Sequence, residues 1–308
     1  MLSSSFAFLR APGLISSLCL SFGAQLTAYT YSTLGRTTPT EHYYDLSGSL
    51  THLALVAHAV GTSAAHNGGI LNPRVVLMGS LSSLWAMRLG YYLFDRVSRT
   101  GGDTRFDELK KDSRTWCIPW VFQAIWCWAL EAPLAMVAAA SLSAASASRL
   151  TRWDSVGVAI FLSGFAWECL ADIQKDQFKR QHPTAPMTGG LFRYSVYANY
   201  FGEVALWCGM TLIALPATLA LGRPIHYTLL VTLPPVFSAY LLWRVSGIPL
   251  SEANSWRKYG GNPDYINYRA RTSLFFPWPQ DEIASMASIE RANAKAKKAS
   301  GEKETKNK

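Results

Sequence analysis

Charged side chains are scarce in this chain of 308 residues. Asp, Glu, Lys and Arg make up 16% of it, whereas an ordinary soluble domain carries about 25%. With 49% apolar residues, disordered and fibrous classes are excluded, and the length allows one or two domains. Long uncharged runs dominate residues 1–247, and residues 248–308 are polar. This split predicts a membrane protein with a hydrophilic C-terminal segment.

The chain also lacks the usual signatures of disulfides, metal centres and soluble dinucleotide-binding domains. Its five cysteines all lie in apolar runs, and none forms a C-x-x-C pair. They are therefore predicted to be small buried hydrophobes rather than zinc ligands or disulfide partners. No G-x-G-x-x-G follows a strand pattern, so any dinucleotide must bind at helix ends. No metal and no nucleic-acid partner is expected.

The uncharged runs predict an all-α integral membrane protein. Since a span needs about 20 apolar residues, seven transmembrane helices are expected, with six to eight allowed. Their positions are 13–31, 48–66, 72–94, 116–142, 155–174, 196–220 and 225–245. Eleven Lys or Arg fall in the loops on the side of the C-terminus and five in the opposite loops. The positive-inside rule then places the N-terminus in the lumen and the C-terminus in the cytosol.

Ionisable side chains inside these spans are candidate functional groups, because a charge at membrane depth costs roughly 2.5–3.5 kcal/mol. One helical face at the end of the third span carries Arg88, Tyr91, Tyr92 and Asp95. This face fits two interpretations equally well. It is either an internal tether with tyrosines at the membrane interface or the wall of a polar cavity.

The fifth and sixth spans carry two further clusters. One face of the fifth span carries Glu168, Asp172, Lys175 and Lys179. Such a face suits an anionic, polyhydroxylated ligand, because carboxylates bond ribose or amide groups and lysines meet phosphates. A solvated helix end would explain the lysines but not Glu168. In the sixth span, Asn199 and Glu203 are four residues apart, which suits an amide-bearing ligand or an interhelical hydrogen bond.

Aromatic residues and arginines alternate after the last predicted span. They include Tyr265, Tyr268, Arg269, Arg271 and Trp278. This pattern fits two interpretations about equally. The aromatic rings could stack on a nucleotide base while the arginines bind its phosphates, or the segment could anchor the protein on anionic lipid. Residues 280–308 are hydrophilic. Within them, the spacing of Ile283, Met286 and Ile289 weakly indicates an amphipathic helix. They are predicted to form a disordered cytosolic tail.

Together these motifs resemble a known family. They are Gly-Gly-Leu-Phe-x-Tyr at 189–194, Ala-Asn-Tyr-Phe-Gly-Glu at 198–203 and the ending Tyr265…Tyr268-Arg269…Pro277. They resemble the C-terminal domain of the steroid 5-alpha-reductase family, and most closely its uncharacterised membrane branch. The resemblance covers about 80–278. It divides the chain into N-terminal helices (1–70), a reductase-like membrane domain (71–279) and the tail (280–308).

The resemblance implies a multi-pass membrane oxidoreductase, located in the endoplasmic reticulum if the source is a eukaryote. Such an enzyme takes NADPH at the cytosolic helix ends and reduces an enone-type C=C bond in a lipid, sterol or other apolar small molecule. The implied cofactor contacts are Glu168, Asp172, Lys175, Lys179, Arg193, Asn199, Tyr200, Glu203, Tyr265, Tyr268, Arg269 and Arg271.

The chain departs from the family pattern at positions that matter for chemistry. The Arg-His-Pro that usually precedes Asn-Tyr is replaced by Val196–Ala198, the second span has no Glu, and Trp85 falls near the expected Tyr. Hydride transfer needs a donor near the developing enolate oxygen. Tyr91 or Tyr92, backed by Arg88, is the best candidate for that catalytic donor, and a 3-oxo-steroid substrate is not expected.

Two other classes of function stay open. One is a membrane methyltransferase of the isoprenylcysteine type that uses S-adenosylmethionine. Those enzymes favour paired glutamates where only Glu252 stands here. The other is a non-catalytic lipid-binding membrane protein that kept the fold and lost the chemistry. Neither the substrate nor the oligomeric state can be derived from the sequence.

Overall fold

The computed structural model describes residues 13–103, 106–140, 149–220, 225–279 and 286–306. In these ranges the chain forms helices and no strand, which confirms the all-α prediction. The helices are α1 (Leu14–Thr33), α2 (Tyr44–His66), α3 (Pro73–Thr100), α4 (Ser113–Ala138), α5 (Arg152–Gln181), α6 (Ala198–Ala220), α7 (Ile225–Val231), α8 (Leu233–Tyr240), α9 (Ile248–Tyr259), α10 (Pro263–Arg271) and α11 (Met286–Lys306). Two 3-10 turns (Leu109–Lys111 and Gly190–Arg193) and a π-helical turn (Leu241–Val245) complete the regular structure.

Local sequence explains where several helices begin and end. Asn72 caps α3 by accepting from the Arg74 N–H (2.9 Å), and a proline follows it at the first helical position. Asn262 caps α10 in the same way, accepting from the Asp264 N–H (2.9 Å) ahead of another proline. At the other end of α3, Gly101 has φ 79°, a conformation that glycine adopts without steric cost.

Three helices are long and apolar enough to cross a membrane: α4, α5, and α6 over Ala198–Leu219. Helices also form at the first three predicted spans, and they are long enough, but within the described residues they do not reach that apolarity. The seventh predicted span is broken into α7, α8 and the π-helical turn. Pro234 and Pro235, near the start of α8, have no N–H to continue a helical ladder, which accounts for the break.

The chain divides into two compact units. The N-terminal unit consists of the described residues up to Phe161 together with Trp207–Phe237. The C-terminal unit consists of Leu162–Leu206 together with the described residues from Ser238 onward. The sequence-based boundary at residue 70 does not appear, because α2 packs against both α3 and α4 within one unit.

A buried ion pair holds α3 and α5 together in the N-terminal unit. The Arg74 side chain is fully buried, and its Nε and Nη2 each donate to Asp154 at 2.8 Å. Nη2 also donates to the carbonyl of Arg149 at 2.9 Å. Such a two-pronged contact satisfies the geometry of both groups.

The tail differs from its prediction, because residues 286–306 form helix α11 rather than a disordered segment. Its five alanines favour a helix, and Ala292 and Ala296 pack against the aromatic cluster of Trp256, Tyr265 and Tyr268. Small side chains on one face therefore let α11 lie on that cluster. Residues 280–285 and 307–308 of the predicted tail lie outside the described residues.

Candidate functional site

In the C-terminal unit, α5 and α6 bring together the central predicted cofactor residues. Asn199 Nδ2 donates to Asp172 Oδ1 across the two helices, at 3.2 Å. Asp172 and Glu168 are each 3% exposed, so both carboxylates are buried beside the start of α6. Asn199 thus bonds to the neighbouring helix, whereas the sequence pattern pairs it with Glu203 along its own helix.

Two glycines allow this close approach. A Cβ at Gly202 would lie 2.7 Å from the backbone N of Glu168, and one at Gly164 would lie 2.6 Å from the backbone N of Leu206. Side chains cannot be accommodated at such distances without moving a backbone. Small residues commonly allow helices to approach closely in membranes. Here the two glycines let α5 and α6 come close enough for Asp172 to contact Asn199.

The segment between α5 and α6 is fixed from three directions. Gln174 Oε1 accepts from the Leu191 N–H at 2.8 Å, next to Gly190, whose φ is +57°. The Tyr268 hydroxyl donates to the Phe192 carbonyl at 2.7 Å. The ammonium of Lys175 lies 5.8 Å from the centre of the Phe192 ring. Lys175 itself is exposed, as a group that meets a ligand phosphate should be.

Lys179, for which the resemblance implies a phosphate contact, is engaged within the protein. Its Nζ donates to the Ala185 carbonyl and to the Tyr259 hydroxyl, and it lies 4.9 Å from the centre of the Tyr259 ring. These contacts tie α5 to α9 and to the segment after α5. Lys179 is therefore a structural tether, whereas Arg193 is exposed.

Glu252 on α9 is the centre of a charge cluster that sequence reasoning missed. Its carboxylate accepts from Tyr197 Oη (2.9 Å), Arg269 Nη2 (2.6 Å), Trp256 Nε1 (3.1 Å) and Lys295 Nζ (3.2 Å). Burial would raise the pKa of Glu252, but the charges of Arg269 and Lys295 and the donated hydrogen bonds outweigh it, so the pKa lies below its usual value. The carboxylate is thus held ionised.

Arg269, predicted to meet a cofactor phosphate, pairs with Glu252 in this cluster. The Arg269 side chain is 5% exposed. Its guanidinium lies 5.2 Å from the Trp256 ring and 5.8 Å from the Tyr265 ring. Burial raises the pKa values of Tyr265 and Tyr268, as expected for phenols inside an aromatic core. Arg269 and these two tyrosines therefore build the packing of α9, α10 and α11.

Arg271, two residues further on, stands in a different environment. It lines a surface cavity of about 290 Å³ together with Thr272, Ser273 and Trp278. The Trp278 ring is 70% exposed, and the buried Nε of Arg271 has no hydrogen-bond partner. Among the described residues the Nε of Arg269 is also buried without a hydrogen-bond partner. Of the two arginines predicted in this segment, Arg271 is the one that lines this surface cavity, where an anion could meet its donors.

The N-terminal unit holds a second polar cluster, which sequence reasoning also missed. His52 Nδ1 of α2 lies 2.9 Å from Glu131 Oε1 of α4, and the Ser82 hydroxyl of α3 donates to the same oxygen. The three residues are 1%, 3% and 0% exposed, in that order. One signal was present, since Glu131 is the only charged residue between Arg114 and Arg149.

Indole rings surround this cluster. The centre of the His52 ring lies 5.1 Å from that of Trp85, 5.0 Å from that of Trp126 and 6.4 Å from that of Trp207. In the part of the chain that the structure describes, His52 Nε2 and Glu131 Oε2 are buried without a hydrogen-bond partner. Each member of the acid–base pair therefore uses only part of its hydrogen-bonding capacity, and the surrounding side chains are mostly aromatic.

The predicted catalytic face of α3 lies elsewhere in the N-terminal unit. Tyr91 is 76% exposed, whereas Tyr92 is half-buried. The Arg88 guanidinium lies 5.2 Å from the Tyr92 ring, and Asp95 accepts from Arg99 at 2.8 Å. The Trp85 side chain, which replaces the family's expected tyrosine, is fully buried.

A family model described as "Protein of unknown function (DUF1295)" matches residues 33–272. The chain belongs to this family. A protein of Schizosaccharomyces pombe described as uncharacterized is 25% identical over 239 residues, which cover 68% of this chain and 64% of that relative. The match thus spans less than two thirds of the relative's length. No solved structure matches the chain. The DUF1295 match includes the Asp172–Asn199 and His52–Glu131 pairs and ends before α11.

Proposed function

We propose that this DUF1295 protein is a multi-pass membrane reductase that transfers hydride from NADPH to an enone-type C=C bond of a lipid, sterol-like or other apolar molecule. The observation that carries the proposal is the contact between Asp172 and Asn199 beside the buried Glu168. Two buried carboxylates and an amide offer several acceptors and one donor in a small volume.

The chemistry of these groups fits NADPH. Carboxylate oxygens accept from ribose hydroxyls and from a carboxamide N–H, and Asn199 both donates and accepts. The exposed Lys175 and Arg193 and the partly satisfied Arg271 supply cations of the kind that bind phosphates. Lys179 and Arg269 do not fit, because both are engaged within the protein. When bound, NADPH would supply the hydride.

The proposed protein has seven spans, a lumenal N-terminus and a cytosolic C-terminus, and resides in the endoplasmic reticulum if eukaryotic. Three helices that qualify as spans by length and composition support the membrane location. The excess of Lys and Arg in the loops on the side of the C-terminus supports the orientation. In this arrangement the proposed cofactor residues face a compartment that contains NADPH, and the apolar substrate comes from the bilayer.

Ligand titration of the purified protein in lipid nanodiscs tests the proposal. We expect NADPH to raise the thermal unfolding temperature and S-adenosylmethionine to leave it unchanged. Asp172→Ala and Asn199→Ala should each abolish the NADPH effect. The matched control is Asp176→Asn, one turn further along α5, where the carboxylate pairs with Arg180. Stabilisation by S-adenosylmethionine alone, or variants that bind NADPH like the wild type, would refute the proposed function.

Comparison of lipid extracts from cells with and without the protein then addresses the substrate. A reduced double bond adds two hydrogens, so the expected pair of compounds differs in mass by that amount. Cells that carry Asp172→Ala should match cells without the protein. If the wild-type protein changes no such pair while NADPH still binds, the reaction is not a C=C reduction.

A further inference from the structure

Three helices of the N-terminal unit place polar groups on one buried oxygen atom. His52 from α2 and Ser82 from α3 both contact Oε1 of Glu131 from α4. Helix α4 is one of the three that qualify as membrane spans, and 72% of its most apolar window is buried inside the protein. An acid and a base held together at membrane depth are costly to bury. Such groups commonly mark proton or ligand pathways.

Few titratable groups surround this pair. On α4, the Cys127 thiol also faces His52. Helices α3 and α6 contribute the rings of Trp85 and Trp207, and α1 contributes the uncharged Gln25, which donates to Thr51 beside His52. Within the described residues, the titratable groups that face His52 are thus Glu131 and Cys127. No lysine or arginine is among these neighbours.

We propose that His52 and Glu131 form a buried proton-binding site that takes up and releases one proton. The contact between Nδ1 and Oε1 fixes the position of the two side chains relative to each other. The proton binds and leaves at His52 Nε2 or Glu131 Oε2. Both atoms are buried without a hydrogen-bond partner, so each has free capacity for a proton. A structural pair would be expected to satisfy both partners completely.

The site suits a proton transfer to an apolar molecule, and this use rests on the proposed reductase function. In a C=C reduction, hydride bonds to one carbon as the π bond opens, and the other carbon takes a proton. That proton must come from an acid, and the acid regains a proton from water. The exposed Tyr91 is poorly placed to be that acid because its side chain lies outside the buried interior. The proton-binding site itself does not depend on NADPH.

Infrared difference spectra between high and low pH test the site directly in nanodiscs. We expect the C=O absorption of protonated carboxylic acids, to which all Asp and Glu side chains contribute, to grow on acidification of the wild type, and one band within it to be absent in Glu131→Gln. The matched control is Glu41→Gln, which removes a buried carboxylate that is paired with Lys110 in the same unit. This control should keep the band. A wild type without the band, or a band that survives in Glu131→Gln, would overturn the proposal.

A milder variant keeps the test informative if Glu131→Gln does not fold. Ser82→Ala removes one donor to the carboxylate without adding volume. The midpoint of the band should move toward higher pH, because the charged form loses a hydrogen bond. An unchanged midpoint in Ser82→Ala would contradict the assignment of the band to Glu131.

The two proposals can fail separately. Should the band titrate as expected while NADPH neither binds nor is oxidised, the proton-binding site stands and the reductase function falls. If NADPH-dependent reduction occurs with the same rate and pH profile in the wild type and in Ser82→Ala and Glu131→Gln, the pair is not its proton donor. If Glu131→Gln slows the reduction at least tenfold and flattens its pH profile, the use in reduction is supported.

Discussion

The N-terminal and C-terminal units both bury a carboxylate, and they satisfy it to different degrees. Glu252 of the C-terminal unit accepts from four side chains, two of them cationic. Glu131 of the N-terminal unit has an imidazole and a hydroxyl on one oxygen and nothing on the other. The first carboxylate is locked in one charge state and serves the fold. The second carboxylate has an oxygen atom that can still bind a proton.

Asp154 shows that this difference does not follow the division into units. It lies in the N-terminal unit, yet it accepts from Arg74 and from both the backbone and the hydroxyl of Thr151. Full satisfaction by a buried arginine thus marks a structural ion pair in either unit. What distinguishes Glu131 is that neither an arginine nor a lysine is among its described partners. The following predictions test this distinction.

The largest loss of stability is expected at the pair of Arg74 and Asp154. Asp154→Ala leaves a fully buried guanidinium without its counter-charge, and should lower the free energy of unfolding by about 4 kcal/mol. Chemical or thermal unfolding in detergent measures the effect. Arg99→Gln breaks the exposed pair with Asp95, and as control it should cost no more than about 0.5 kcal/mol. Equal losses would contradict the structural role of the buried pair.

A loss of about 3 kcal/mol is expected from Glu252→Gln, since Arg269 is then buried without a counter-charge. The pKa of Glu252 is lowered in the folded protein, so its contribution is complete above the ordinary carboxyl range. That contribution is lost as the pH falls through the lowered value. Limited proteolysis should report early release of α11 in the variant. If α11 is as protected as in the wild type at every pH, Glu252 does not hold it.

Gly202→Ala should cost about 2 kcal/mol, because the new methyl group would lie 2.7 Å from the backbone of Glu168 and push α5 from α6. The same shift should weaken NADPH binding by separating Asp172 from Asn199. The control is Gly23→Ala on α1, where an added Cβ would meet no described atom within 4 Å outside the adjacent residues and the helix's own backbone. This change should be neutral or slightly stabilising. A stable Gly202→Ala variant would show that this approach is looser than described.

The smallest effect is expected from Lys295→Gln. Lys295 donates to the same carboxylate as Arg269, but its side chain is 55% exposed. Solvent therefore screens the pair, and the loss should be about 0.5 kcal/mol. Comparison with Arg269→Gln sharpens the contrast, because that variant leaves Glu252 buried with a weaker partner and should cost several times more. Equal costs would mean that burial does not separate the two cations.

Local features of the structure were predictable from the sequence. Uncharged runs located the helices, since burying a helix or inserting it in lipid selects apolar side chains over some 20 residues. The tail was predicted wrongly over 286–306, because its alanines favour a helix only weakly without a surface to pack on. That surface consists of Trp256, Tyr265 and Tyr268, and their assembly cannot be read from the tail itself.

Partners of the candidate residues were less predictable. Asp172 and Asn199 were both predicted as cofactor contacts. Their hydrogen bond depends on glycines that let the backbones of α5 and α6 approach closely. His52 and Glu131 are 79 residues apart, and each alone resembles an isolated polar residue in an apolar run. The sequence position of Arg269 suggested a contact with a cofactor phosphate, whereas in the fold its guanidinium pairs with Glu252.

By itself, then, the sequence determined the helical class, the approximate helix positions and most of the residue types from which a site could be built. Those properties depend on composition and on neighbours within a few turns. Only the tertiary structure decided which charges are neutralised inside the protein and which keep capacity for a ligand or a proton. Hydrogen bonds and ion pairs act over about 3 Å, so a residue's chemical role depends on partners that are distant in the chain.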